Sequence, residues 1–360
     1  MNSNDFWIWL LVCYMIFAGI TSGVLAWTAA FRVAQARWTP VINRLGHSTL
    51  AFSPILLLLL LVLLGGAERY MPWVLHPVPE KSAWLNVPFL IIREIVCTTV
   101  LFVLCFFMVR WGLKTDAKRA QGESITNSDQ YKITAISTVS IMFYTIASSI
   151  MTYDFIMSLS PEWVSTMFAP YCWITNMYAG MAVLILISTL VHNSQRVGRH
   201  LGTQQFQDMG NLLLGFSLFS MGLFFAQYLT IWYENIPVET QFLIIRYDKG
   251  MWPYLGWTAL IIGYAIPFIL LQSRRLKRDP RMLSPVALLV ILGVMLERYT
   301  LIVPSIKPDS ILLNPLGLLS ILALAGVFVA SIIWFLKRYP LVSSADEALH
   351  ESDFILEITK

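Results

Sequence analysis

Apolar residues along this chain gather into nine long runs, separated by shorter polar segments. The runs cover residues 7–30, 41–66, 88–112, 132–155, 171–192, 211–233, 251–273, 285–304 and 315–335. At about 1.5 Å of rise per residue, each reaches across a hydrocarbon core about 30 Å thick. Backbone groups find no water in lipid, so a run of this kind must satisfy its own hydrogen bonds, and the α-helix does so within one segment. The expected fold class is an all-α integral membrane protein with about nine transmembrane helices. Residues 1–338 form the polytopic domain, and 339–360 form a polar tail. The first run lacks a basic leader and exceeds the length of a signal core, so it is expected to remain as an anchor.

Charge orders these helices across the membrane. Of the 25 Lys and Arg residues, six fall in the N-terminus and the segments after runs two, four, six and eight. Eighteen fall in the alternate segments and the tail, and Arg93 lies inside run three. The positive-inside rule places the N-terminus outside and the C-terminus in the cytoplasm. An odd number of spans requires opposite ends, which agrees. The net charge of +4 is explained by the inside segments, so no nucleic-acid partner is implied and lipid headgroups are the expected anionic contact. With 57% hydrophobic and 13% charged residues, the chain departs far from a soluble globular average.

Redox ligands are sparse. Cys13, Cys97, Cys105 and Cys172 form no CxxC or CxxCH motif, and all four sit in or beside apolar runs, where cysteine acts as a small hydrophobe. Of the five histidines (His47, His76, His192, His200 and His350) only His47 and His192 touch a span. A pair of haems across the membrane has too few axial ligands. No metal centre and no covalently bound cofactor are therefore expected, and any electron-transfer role runs through quinone or quinol or through partner subunits.

Ionisable residues inside the spans are costly and mark candidate chemistry. Arg93 and Glu94 lie in span three, Glu297 and Arg298 in span eight, Asp154 ends span four and Glu234 ends span six. All six are expected in the outer third of the bilayer. Adjacent helix residues point about 100° apart, so each member of the two Arg/Glu pairs is expected to meet a partner on another helix. One reading is a set of ion pairs locking helices together. The other is a proton-conducting or quinone-facing cluster. Ser137, Ser140, Tyr144, Ser148 and Thr152 recur at helical spacing toward Asp154, either as a hydroxyl relay or as a close-packing seam. His47, with Ser48, Thr49 and Ser53, offers a candidate mouth on the inner side. Pro54 and Pro267 can open backbone carbonyls to such polar groups. Two outer segments, DFIMSLSPEWVSTMF at 154–168 and ENIPVETQFLIIRYDK at 234–249, are too apolar for free solvent and are expected as short interfacial helices or a docking surface. Within the first, Ser160-Pro161-Glu162 reads as a helix start.

Five motifs in order carry a family resemblance. KSAWLNVPFLIIRE at 81–94, YDFIMSLSPEWVSTMF at 153–168, FFAQYLTIWYENIPVET at 224–240, SRRLKRDPRML at 273–283 and ERYTLIVPS at 297–305 resemble the ActF-type membrane subunit of alternative complex III, within the NrfD-like, polysulfide-reductase membrane-subunit group. The resemblance implies two four-helix bundles, roughly 7–155 and 171–304, with 315–335 as a peripheral helix. It implies a subunit of a bacterial inner-membrane respiratory complex that oxidises quinol and passes electrons to a cytochrome c or a terminal oxidase. Its partners would be other membrane subunits, an iron–sulfur protein and cytochrome c subunits, and it would support proton translocation without a redox centre of its own. Asp154, Glu234, Glu94, Glu297, Arg93, Arg298, Tyr144, Ser148 and His47 are the proton-path candidates. A secondary transporter and a purely structural anchor are the competing classes. The first would show matched, interrupted spans in two repeats, which this chain lacks.

Overall fold

The computed structural model describes residues 3–36, 40–192, 201–248, 250–312 and 314–339. The tail beyond Tyr339 and the basic segment 193–200, with His200 and His350, lie outside the described residues. Among the described residues all regular structure is helical. Nine helices among these residues are long and apolar enough to cross a membrane: Asp5–Val33, Pro40–Gly65, Val87–Lys118, Asn127–Leu159, Phe168–His192, Thr203–Glu234, Trp252–Leu270, Pro280–Ile306 and Pro315–Arg338. They are spans one to nine below.

Helix ends follow capping chemistry more than they follow the edges of the apolar runs. Span four starts behind Thr126, whose hydroxyl accepts the Asp129 amide at 3.2 Å. Span eight starts behind Asp279 and span nine behind Asn314, each followed by proline, which needs no amide partner in the first turn. Span three runs on beyond its apolar stretch as a polar helix to Ala120.

Spans one to four neighbour one another in a ring, and spans five to eight form a second ring. Span one joins the two by packing along span five, with spans four and five adjoining beside it. Span nine lies on the outside, against spans one and two. Span one is the most enclosed helix and span nine the least. The seam between rings depends on glycine. A Cβ on Gly23 would stand 2.1 Å from the Asn176 carbonyl oxygen, and one on Gly180 would stand 2.7 Å from the Gly23 backbone. Helices approach this closely in membranes because small residues let backbones touch.

Two spans are irregular. Span two narrows to a 3₁₀ turn at Thr49–Phe52, just before Pro54. Span seven widens to a π-helical turn at Ile261–Ala265, just before Pro267. The short helix Pro237–Tyr247 and the 3₁₀ turn Met157–Leu159 cover the end of the molecule that carries the N-terminus. No helix begins at Ser160-Pro161-Glu162, contrary to the sequence reading; the stretch is a turn and then extended chain. The physical reason is Trp163, which is buried and stacked on Phe242 with ring centroids 3.7 Å apart. The two apolar loops thus satisfy each other.

Candidate functional site

Two buried polar clusters occupy the half of the molecule nearer the N-terminal end, one in each ring. In the first, Arg93 of span three meets Asp154 of span four by two hydrogen bonds, Nε to Oδ2 at 2.7 Å and Nη2 to Oδ1 at 2.6 Å. Both side chains are almost fully enclosed. The fork-on-carboxylate geometry is the strongest form of ion pair available to arginine. Trp84 completes it: its Nε1 donates to Asp154 Oδ1 at 3.0 Å while its ring lies 3.8 Å below the Arg93 guanidinium. Phe89 packs on the guanidinium as well, at 4.4 Å. The Glu94 carboxyl is buried against that of Asp154. Arg93 Nη1 and Glu94 Oε1 are enclosed without a protein partner. They lie where water or a polar group would be held, since buried polar atoms need partners. Tyr70, at the rim, donates to the Leu63 carbonyl; burial, reinforced by the Glu94 charge, pushes its phenol above the ordinary tyrosine value.

The second cluster joins spans five, seven and eight. Glu297 accepts a short hydrogen bond from the Tyr264 hydroxyl. Arg298 donates to Glu297 Oε1 at 3.4 Å, the Cys172 carbonyl at 3.0 Å, Asn176 Oδ1 at 3.0 Å and the Thr175 hydroxyl. Contact between the neighbours Glu297 and Arg298 corrects the expectation that adjacent residues must part. The guanidinium lies far enough from its own backbone to bend back, at a distance longer than a tight ion pair. Tyr264 stands in the π-helical turn. Pro267 has no amide for the Gly263 carbonyl, and the Tyr178 hydroxyl takes that carbonyl at 2.9 Å. On the next turn of span eight, Gly293 lies against Gly263 so closely that a Cβ there would stand 2.0 Å from the Gly263 Cα. The widened turn and the glycine contact together bring Tyr264 onto Glu297. π-turns inside α-helices are frequent at functional sites.

The second cluster reaches toward span four. Arg298 Nη1 donates to the Cys172 sulfur at 3.2 Å, and the Cys172 thiol faces Thr152 of span four, whose own hydroxyl donates to the Ser148 carbonyl at 2.8 Å. Tyr144 lies at the same crossing, donating to the Trp173 carbonyl at 2.7 Å. The hydroxyl seam of span four is mostly not a relay. Ser137, Ser140 and Thr152 give their protons to carbonyls one turn back on their own helix. Ser148 is buried with no such bond.

Arg246, on the helix Pro237–Tyr247, was not singled out from sequence. It is enclosed and caps span eight, donating to the Thr300 carbonyl at 3.1 Å, the Leu301 carbonyl at 2.7 Å and the Ser305 hydroxyl at 2.5 Å. Pro304 removes the amide that would have bonded the Thr300 carbonyl, which explains the opening. Burial pulls the guanidinium down to about 9, still charged at neutral pH. The sequence signal was a basic residue within an apolar loop.

Glu234 joins neither cluster. It is exposed at the C-terminal end of span six, where Asn235 closes the helix in the left-handed conformation. It lies at the same end of the molecule as the two clusters but apart from them. His47 lies at the opposite end of span two, buried and facing Arg32 and Arg44, with neither ring nitrogen hydrogen-bonded. Arg44 pairs there with Asp116 at 2.7 Å. Among the described residues no three His, Cys, Asp or Glu side chains converge as metal ligands.

The family described as "Polysulphide reductase, NrfD" matches residues 1–307. The chain belongs to that family. No curated protein matches it. NrfD-family proteins are membrane subunits of quinone-linked oxidoreductase complexes and assemble there with other redox subunits. The matched residues include both clusters and end beyond the Arg246 cap, leaving span nine outside.

Proposed function

We propose that this NrfD-family chain is the non-haem membrane subunit of a quinol-oxidising complex of the alternative-complex-III kind, with cytochrome c as acceptor and with the buried clusters conducting protons. The bacterial inner membrane is the location that follows. The observation that supports the reading is the pair of clusters at one end of the two rings, Arg93–Asp154–Glu94 and Arg298–Glu297–Tyr264, with Cys172 beside the second and facing span four. Two carboxyls meeting in a buried site share a proton more readily than they bear two charges, which suits Glu94 and Asp154 to hold one. Tyr264 and Glu297 form a second donor–acceptor pair. His47, at the far end, lies where protons would arrive from the opposite face.

Quinol is the substrate of the complex and supplies electrons and protons on oxidation. The residues here do separate work. Arg93 and Arg298 keep carboxylates stable inside the bilayer, while the protonatable partners pass protons by exchanging hydrogen bonds.

The test uses the assembled complex in liposomes, with Glu94→Gln and Glu297→Gln made separately. Quinol oxidation should continue while protons moved per electron fall. Assembled variants with unchanged proton stoichiometry would reject the path. A loss of assembly alone would favour the structural-anchor reading. Affinity capture of the tagged chain should bring an iron–sulfur protein and a multihaem cytochrome with it.

A further inference from the structure

The end of the molecule opposite the N-terminus carries a cavity of about 530 Å³, lined by Thr203, Arg274, Arg275, Arg278, Asp279 and Pro280. Three arginines and one aspartate are among its six lining residues, and it opens widely to the surface. Asp279 Oδ1 accepts the Arg281 amide as the cap of span eight, and the four charged side chains of the lining leave a net charge of about +2. Arg278 is braced by Gln207 of span six at 2.6 Å. Arg274 and Arg275 are exposed and, among the described residues, have no hydrogen-bond or ion-pair partner. The short helix Arg274–Arg278 is docked by Lys277, whose stem lies over Gly210 so closely that a Cβ there would stand 2.8 Å from it. The docking leaves a crowded positive patch: burial, and then the Arg274 charge, pull the Lys277 ammonium below its ordinary value. The first turns of spans six and eight, at Thr203 and Pro280, both border the cavity and add their partial positive charge.

We propose that this cavity binds the phosphodiester headgroup of an anionic phospholipid. A phosphate monoanion offers the oxygens that arginine forks fit. The position favours a lipid over a free anion. The cavity stands where spans six, seven and eight end, at headgroup level, and the adjoining helix ends expose Ile269, Leu270, Met282 and Leu288 to receive acyl chains. The site depends on membrane embedding only and stands apart from any proton path.

The full-length protein in detergent is titrated with phosphatidylglycerol, phosphatidylcholine or inorganic phosphate, with bound lipid read by native mass spectrometry and stability by thermal unfolding. Phosphatidylglycerol should remain bound and raise the unfolding temperature, and the other two should not. Arg274→Gln with Arg275→Gln should weaken phosphatidylglycerol binding about 30-fold, from two surface charges near an anionic headgroup. Lys337→Gln with Arg338→Gln removes the same charge on the same side and should leave binding intact. Equal binding by the Arg274/Arg275 variant overturns the site, as does equal stabilisation by phosphatidylcholine. Inorganic phosphate reproducing the whole effect would assign a free-anion site instead. If the double variant fails to fold, phenylglyoxal labelling of the parent decides: phosphatidylglycerol must shield Arg274 and Arg275, and absence of shielding overturns the proposal. Shielding found only in the assembled complex, without lipid dependence, would assign the cavity to a partner's acidic segment.

Discussion

Arg93 and Asp154 are each tolerable in the membrane only because of the other. Truncating one partner of a buried pair costs roughly 3–5 kcal/mol, since a bare charge is left behind, whereas replacing both with apolar groups is often close to neutral. Asp154→Asn should therefore lower stability sharply, Arg93→Met likewise, and the double variant should recover much of the loss. Denaturation midpoints for the four proteins measure this, and additive losses would mean that the two side chains do not interact. The charges themselves were legible in sequence, because ionisable residues within apolar runs are conspicuous. Their pairing was not, since it depends on which helices become neighbours, and the roles of Trp84 and Cys172 came only with coordinates. At the rim, Tyr70 supplies a pH-dependent difference. Its phenol is raised in the folded state, so above the ordinary value near 10 the folded chain binds more protons than the unfolded one. Its contribution is complete below that pH and is lost as pH climbs. Between about pH 9 and 11 the stability of Tyr70→Phe should fall less steeply than the parent's. Equal slopes would remove Tyr70 from the account.

Helix number and length followed from apolar runs alone, because a span must cover a fixed thickness with its own hydrogen bonds. Local departures inside the spans did not follow. Pro267 was readable as a residue that frees a carbonyl, yet the π-turn needs Gly293 on a different helix to close against Gly263. That contact sets the register between spans seven and eight, and so the reach of Tyr264 to Glu297. Gly293→Ala should push the two helices apart and lower the unfolding temperature by several degrees, an overpacking effect of about 1–3 kcal/mol. Gly326→Ala, with nothing within 4 Å of the new methyl, should be neutral or slightly stabilising. Thermal unfolding of the two variants compares a glycine that carries a helix crossing with one that does not, and equal effects would show that the crossing tolerates a methyl. The start expected at Ser160 failed for a related reason: the local signal was genuine, but burying Trp163 against Phe242 outweighed one helical turn.

The largest-scale arrangement is two rings held by a shared span one, with polar clusters gathered toward one end and unpaired arginines toward the other. The sequence already implied this polarity through the distribution of Lys and Arg. In the structure the buried acid–base groups sit at the end with fewer basic residues, while the Arg274–Arg278 helix and the His47 pocket sit at the other. If the arginine-rich end faces the cytoplasm, the two ends must differ in access from outside an intact cell. Single cysteines introduced at Ser82 and at Arg278 test this directly, in a background where the four native cysteines are replaced by Ala. Both positions are exposed and outside the spans, Ser82 in the segment between spans two and three and Arg278 at the end of the short helix between spans seven and eight, at opposite ends of the molecule. A membrane-impermeant maleimide should label Ser82→Cys in spheroplasts and Arg278→Cys only after lysis. The reverse pattern would turn the molecule over, place both clusters beside the cytoplasm, and require protons released there to travel toward the arginine-rich end.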